Sequence, residues 1–261
     1  MLAQERQTII LDMLQEKKVV KITDIAARFG ISHLTARRDL DVLQDQGLAC
    51  RVYGGAVLAE QSGDETVFPP KSRAVDGTLR QARLSGIARE AVRLIHEGDR
   101  LMLGNGIVVE EIARRLCDFR RLSIVTGSLA AANMLLNSGH EIYVLGGQMN
   151  HDERTLSGSY ALQMARDFHV NCTIVPCGGL SVERGVMSDN LPAAELGRIA
   201  LENAEKRVVL CGSDQFGKIM FHTVCPLSMV DVIITDEGIQ KETKEELEAR
   251  GVRVIVAAAD M

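Results

Sequence analysis

Tryptophan is absent from this 261-residue chain, and aromatic residues make up only 3% of it. A core built from such a chain must be aliphatic, drawn from Leu, Ile, Val, Ala and Met. Long apolar runs are missing too: no stretch approaches the roughly 20 apolar residues of a membrane-spanning helix. Residues 1–7 carry charge early and lack the apolar centre of a signal peptide. The chain is therefore expected to stay in the cytoplasm and to have no membrane partner. Cys50, Cys117, Cys172, Cys177, Cys211 and Cys225 are scattered without a Cys-x-x-Cys pair. The ligand spacing of a zinc site is thus lacking, and reduced, buried thiols are expected. No metal and no cofactor is implied. A basic excess is also missing. The net charge of −5 argues by itself against a nucleic-acid partner. The charge is uneven, however: residues 1–57 hold eight Lys/Arg against seven Asp/Glu, a local +1. Phosphate contact is local, so a small DNA reader needs only a few well-placed cations.

What is present reads as a soluble globular protein, 46% hydrophobic and 25% charged. Its length suits a small domain plus a medium one. Residues 1–58 form the first expected unit. Ile9, Ile10, Met13 and Leu14 recur at helical spacing, and Val19, Val20 and Ile22 make a short β-branched run. Thr23 is placed to cap a second helix, and Gly30 to stop it with a positive φ. Ser32 then caps a third helix, with Ile31 and Ala36 at the positions of a hydrophobic staple. Leu48 to Val52, Gly54-Gly55 and Ala56 to Leu58 read as a hairpin. Three helices followed by a hairpin describe a winged helix-turn-helix.

The third helix carries the strongest local signal. Ala36, Leu40 and Leu43 face the core, leaving His33, Leu34, Arg37, Arg38 and Asp41 on the opposite side. A helix of this kind fits the major groove of double-stranded DNA, its N-terminal residues meeting base edges. Ser32, His33, Leu34, Thr35, Arg37 and Arg38 are the candidate contacts: Arg37 to a guanine or a phosphate, Leu34 to a thymine methyl. In the wing, Arg51 and Tyr53 stand beside Gly54 and Gly55 and are candidates for backbone contact.

Residues 59–78 are polar, contain Pro69-Pro70, and read as a linker. From residue 79 to 261, strand-length apolar runs alternate with helical patterns, the first of these a helix from Leu84 to Ile95. The pattern predicts an α/β domain with a mostly parallel sheet. Open sheets of this class bind ligands at the C-terminal ends of their strands. Gly104-Asn105-Gly106 and Thr126-Gly127-Ser128 each follow a strand and precede a helix, where N–H groups can hold phosphate or sugar hydroxyls. Gly146-Gly147 and Gly178-Gly179 end later strands. Glu195, Asp189, Asp214 and His222 could serve an enzyme, but they form no recognisable acid/base set, and catalysis has no use for residues 1–57. No catalytic residue is assigned.

Ile31-Ser32-His33-Leu34-Thr35-Ala36-Arg37-Arg38-Asp39-Leu40 and Arg51-Val52-Tyr53-Gly54-Gly55-Ala56 resemble the DeoR family of bacterial sugar-metabolism regulators. Ile124-Val125-Thr126, Leu145-Gly146-Gly147, Gly158, Gly178-Gly179 and Phe216-Gly217 extend the resemblance over essentially the whole chain. It implies a repressor of a carbohydrate catabolic or transport operon, with operator DNA as one partner and a phosphorylated sugar as the usual effector. It also implies a sensor domain similar to sugar-phosphate isomerases, and a homodimer or homotetramer. An activator on the same scaffold, or an isomerase-like enzyme, are the alternatives. Three departures stand out. The family's Asp-x-Gly-Thr-Thr loop is here Gly104-Asn105-Gly106-Ile107-Val108, without the acid and both hydroxyls. Its Asp-x-Ser/Thr-Lys-Phe-Gly segment is Gly212-Ser213-Asp214-Gln215-Phe216-Gly217, without the first acid and the cation. Its late Glu-x-x-x-Lys pair is Glu195 and Ile199. Asp214 and Lys218 remain as charged effector candidates, with Arg198 and Asn105 as partial substitutes. An atypical effector is expected.

Overall fold

The computed structural model describes residues 3–17, 19–45, 48–52, 55–58, 77–151 and 153–260. Its internal contacts divide the chain into Met1–Arg73 and Ala74–Met261. The expected linker, 59–78, falls almost wholly outside the described residues.

The first unit holds α1 (Ala3–Lys17), β1 (Val19–Lys21), α2 (Ile22–Phe29), α3 (His33–Asp45), β2 (Ala49–Val52) and β3 (Gly55–Leu58). The strands form an antiparallel sheet in the order β1-β3-β2, so the hairpin is a wing anchored on the short strand before α2. Ile10, Leu14, Ile25, Ala36 and Leu40 are fully buried in one aliphatic core. Gly30 ends α2 in the left-handed region, φ +62°, and its N–H returns to the Ala26 carbonyl, as the spacing predicts. Thr23 is not the cap. α2 begins two residues earlier than a Thr23 cap requires, at Ile22, with Lys21 at the N-cap and no side-chain cap. The Thr23 hydroxyl instead meets the Asp24 carboxylate at 3.3 Å. The β-branched run continued into the helix because Ile22 is drawn into the core.

The second unit begins with α4 (Gly77–Val92), seven residues earlier than the apolar pattern places it. There follow β4 (Arg100–Leu103), α5 (Ile107–Leu116), β5 (Ser123–Thr126), α6 (Leu129–Met134) and β6 (Glu141–Val144). After a hairpin of β7 (Gln148–Asn150) and β8 (Thr155–Ser157) come α7 (Ser159–Arg166) and β9 (Val170–Pro176). The chain continues through β10 (Gly179–Ser181), β11 (Gly185–Ser188), α8 (Leu191–Glu202), β12 (Ala204–Leu210) and β13 (His222–Cys225). It closes with β14 (Val232–Asp236), α9 (Lys241–Ala249) and β15 (Arg253–Ala257). Seven strands form one parallel sheet in the order β15-β14-β12-β9-β4-β5-β6. Alternate residues feed two cores. Leu101, Leu103, Ile174, Val208 and Ile234 pack under α4, α5 and α6. Met102, Val125, Val175, Val209 and Ile233 pack with α7, α8 and α9 on the other face. Burial on both faces is why these strands read as continuous apolar runs.

The antiparallel pieces, β7 with β8 and β10 with β11 and β13, were not foreseen. They are three or four residues long, too short for alternation to register. Among the cysteines, Cys172, Cys177, Cys211 and Cys225 are buried as expected, but Cys117 is exposed. The Cys50 side chain lies outside the described residues. Burial pushes the Cys172 thiol up to about 12 and Cys225 to about 11, so both stay protonated. Among the described residues no helix is long and apolar enough to cross a membrane.

Candidate functional site

The DNA-reading element is α3. Ser32 caps it: the Thr35 N–H donates to Ser32 Oγ at 3.1 Å, and the two hydroxyls lie 2.9 Å apart. Ala36, Leu40 and Leu43 turn inward, while Ser32, His33 and Arg38 are exposed and Thr35 is half-buried. Tyr53 and Gly54 lie outside the described residues, as do the side chains of Leu34, Arg37 and Arg51. Gly55 is occupied otherwise than by open approach. A Cβ there would lie 2.1 Å from the Val20 carbonyl oxygen, so the glycine lets β3 close on β1.

Sequence reasoning gave Asp39 no role. It is buried and accepts two bonds from Arg6, at 2.6 Å from Nε and 3.0 Å from the terminal nitrogen, and a third from Gln7 Nε2 at 3.1 Å. The bidentate pair fixes α3 to α1 across 33 residues and thereby sets the angle at which the reading face is presented. The carboxylate holds the Arg6 guanidinium above its ordinary pKa through this bond. An acid three residues after Ala36, on the core side of the helix, was the available signal.

In the second unit, β4 and β9 are neighbours, yet the chain proceeds from β4 toward one sheet edge and from β9 toward the other. That reversal makes their C-terminal ends the topological switch point of the sheet, the position at which open sheets bind ligands. Gly104 sits there because a Cβ would lie 2.8 Å from Pro176 Cδ; its N–H donates to the Ile174 carbonyl at 2.9 Å. Gly106 begins α5 with φ +115° and offers no side-chain cap. Asn105 Oδ1 is buried and has no hydrogen-bond partner among the described residues. It lies 3.9 Å from where a Cβ on Gly127 would be. The 104–106 and 126–128 loops are therefore adjacent.

The second loop is closed. Ser128 N–H donates to Thr126 Oγ1 at 3.1 Å, and Ser128 Oγ caps α6 by accepting from Ala131 N–H at 3.2 Å. The start of β8 lies over it: Leu156 N–H reaches the Gly127 carbonyl at 2.8 Å, and Leu129 N–H the Arg154 carbonyl at 2.9 Å. Thr126, Gly127 and Ser128 are all buried. Gly146 is exposed, whereas Gly147, φ +132°, turns the chain into the β7–β8 hairpin. Gly178 bonds Met187, and Gly179 lies under the Lys218 carbonyl.

The 212–218 segment follows β12. Asp214 and Lys218 are solvent-exposed and paired with each other at 3.1 Å. Gln215 turns inward, its Nε2 donating to the Cys177 carbonyl at 2.7 Å and its Oε1 accepting from Gly212 N–H at 2.6 Å. A neutral amide thus ties β9 to β12 where the family pattern has a cation. Arg198 is also engaged, on the carbonyls of Thr223 and Val224. Asp236, buried at the end of β14, accepts from Ser213 N–H, Ser213 Oγ and Gly238 N–H at 2.7–3.0 Å. Arg83 of α4 stands 3.9 Å away. Burial opposes the Asp236 charge, but these donors and Arg83 outweigh it and hold the carboxyl below its ordinary pKa.

A capped, exposed helix beside a wing, followed by a doubly covered parallel sheet with a topological switch point, defines a DNA-binding regulator with a separate sensor domain. Residues 6–62 match the DeoR-like helix-turn-helix domain and residues 81–237 the DeoR C-terminal sensor domain. The chain belongs to the DeoR family of transcriptional regulators. It is 32% identical to a putative aga operon transcriptional repressor of Escherichia coli O157:H7, over 97% of this chain and 93% of that one. It is 31% identical to the transcriptional repressor AccR of Agrobacterium fabrum, over 90% of each chain. It is 29% identical to the repressor GlcR of Bacillus subtilis, over 100% and 98%. Ribose 5-phosphate isomerase A of Methanocaldococcus jannaschii aligns over 51% of this chain and 53% of its own, with a TM-score of 0.38 and 15% identity. A likeness of that size supports no conclusion about activity.

Proposed function

We propose that this regulator represses an operon for carbohydrate catabolism or transport, and that a sugar-derived ligand bound at the C-terminal ends of β4 and β9 releases it from DNA. The observation that carries the effector reading is Asn105 Oδ1, a buried acceptor at the topological switch point without a donor among the described residues. A buried polar atom left unpaired costs stability, and a ligand hydroxyl would supply the missing donor. The three relatives whose names call them transcriptional repressors support the repressing sign. Homodimers or tetramers would place paired α3 helices on repeated half-sites. The ligand acts by binding the free and DNA-bound arrangements differently; couplings of about 5–150-fold are typical. Of the acidic and histidine side chains, Asp189 accepts from the Phe221 N–H beside His222 and Asp214 pairs with Lys218, so these carboxylates serve structural bonds, which favours a sensor over an enzyme.

Band shifts on the DNA upstream of the chain's own coding region test this. In a thermal-shift panel each free sugar and sugar acid is paired with its phosphorylated form, and every stabilising ligand is retested for DNA release. Arg37→Ala is expected to weaken binding, and to relax specificity at one position if Arg37 reads a base. Unchanged affinity and sequence preference would remove Arg37 from the interface. A reporter in a deletion strain fixes the sign: derepression is expected, and lost expression would make the chain an activator.

A further inference from the structure

A cleft of ≈ 420 Å³ lies away from the 104–106 loop, between the turn after β10, the 213–219 segment and the first turns of α9. Its walls differ in chemistry. Phe216 and Ile219 form an apolar side, Ile219 being 56% exposed. Glu183 and Glu246 stand among the polar side chains with Gln240 and Thr243. Among the described residues no lysine or arginine lines it, but Arg250 stands at its edge, 3.7 Å from Glu246 and donating to the Val182 carbonyl at 3.3 Å. Glu183 is fixed in place: Ser181 Oγ donates to its Oε2 at 2.6 Å, and its own N–H returns to that hydroxyl at 3.3 Å. The Ser181 hydroxyl bond first, then its own N–H and the nearby Arg250 and Arg184, hold the Glu183 carboxyl below its ordinary pKa, so it stays an acceptor at neutral pH.

We propose that this cleft is a second ligand site, separate from the switch point at β4 and β9, and that it takes an uncharged polyhydroxylated molecule, a free sugar or polyol. The volume lies within the range of small-molecule sites. The apolar side suits the C–H face of a sugar ring. The Glu183 carboxylate accepts hydroxyl donors and opposes a phosphate, and the cation at the edge, Arg250, is already engaged by Glu246 and by the Val182 carbonyl. The choice of carbohydrate among neutral polar molecules rests on the functional reading above. Occupancy has a route outward. Ser213 and Gly238 line the cleft and are the residues that hold Asp236, and Asp236 faces Arg83 on α4. That helix is the first described element after the segment leading from the DNA-binding unit.

Hydrogen exchange followed by mass spectrometry on the full chain tests the proposal. The probes are D-glucose, D-galactose and D-fructose, each beside its 6-phosphate. At least one free sugar is expected to slow exchange in 213–219 and 238–246, and no phosphate to do so. Thr243→Trp should fill the cleft and remove that protection. Glu183→Gln, a milder change, should raise the apparent Kd about tenfold, the scale of a lost hydrogen bond to a charged group. Asn105→Ala should leave it intact. Protection of these segments by the phosphates, protection confined to 104–128, or none from any probe overturns the site. A free sugar that protects the cleft but leaves DNA affinity unchanged would keep this site and remove its route outward through Asp236 and α4. A phosphosugar that releases DNA while protecting only 104–128 would remove this site and keep the effector reading.

Discussion

Two neighbouring loops in the sensor unit look interchangeable in the sequence and behave oppositely in the fold. Thr126-Gly127-Ser128 carries two hydroxyls, and both are spent on its own backbone and on the cap of α6. Gly104-Asn105-Gly106 carries a single amide side chain, whose oxygen is buried without a donor among the described residues. The loop richer in ligand-like groups is closed, and the poorer one holds the spare acceptor. A polar residue at a strand end is thus a site candidate only after its existing bonds are counted. The same count separates Asp39 and Asp236, each saturated by three donors, from Asn105.

If that distinction is sound, substitutions at saturated groups cost stability and the one at Asn105 costs response. The largest effect is expected from Arg6→Met, which strands the Asp39 carboxylate inside the first unit. Breaking a buried ion pair from one side typically costs about 3–5 kcal/mol. Thermal unfolding should show the DNA-binding unit melting early, with DNA affinity lost and the sensor transition unmoved. A single unshifted melt would show that Asp39 is not the clamp. Thr126→Val comes next: it keeps the shape but leaves Ser128 N–H unpaired, at about 1–3 kcal/mol. Its effector response, once stability is restored by cooling, should match that of the parent.

Acid sharpens the comparison further. Asp236 is held below its ordinary pKa, so its contribution is present above the unfolded value near 3.9 and fades as pH falls through the lower folded value. Asp236→Asn removes that contribution. The gap in melting temperature between parent and variant should therefore narrow on going from pH 6 toward pH 3, and a constant gap would contradict the assignment. The smallest loss of stability belongs to Asn105→Ala: no bond is lost and an unpaired buried acceptor is removed, so the variant should melt at or slightly above the parent. DNA release by the effector should nevertheless weaken. A variant that loses stability but responds normally would reverse the roles of the two loops.

The DNA-binding unit was the more legible of the two in the sequence, because its signals are local. Ser32 three residues before Thr35, Gly30 at φ +62°, and the spacing of Ala36, Leu40 and Leu43 each act within a turn or two of helix. Asp39 escaped notice because its partners, Arg6 and Gln7, lie 33 and 32 residues away. In the sensor unit, the parallel strands announced themselves as apolar runs, and the glycines at their ends marked the turns. Which glycine faces open space and which is pressed against backbone was not readable. Gly147 and Gly55 each leave room for a carbonyl about 2.2 Å from where a Cβ would be, whereas Gly106 meets nothing within 4 Å.

Periodicity, capping residues and charge distribution by themselves determined two units, a winged helix-turn-helix and a parallel α/β domain, since each depends on the conformational preference of a few consecutive residues. Tertiary structure alone decided that β8 covers the 126–128 loop, that Gln215 ties β9 to β12, and that residues near 183, 216 and 246 share one cleft. The reason is physical: whether a polar atom is spent or spare depends on the partner that distant chain brings within hydrogen-bonding reach.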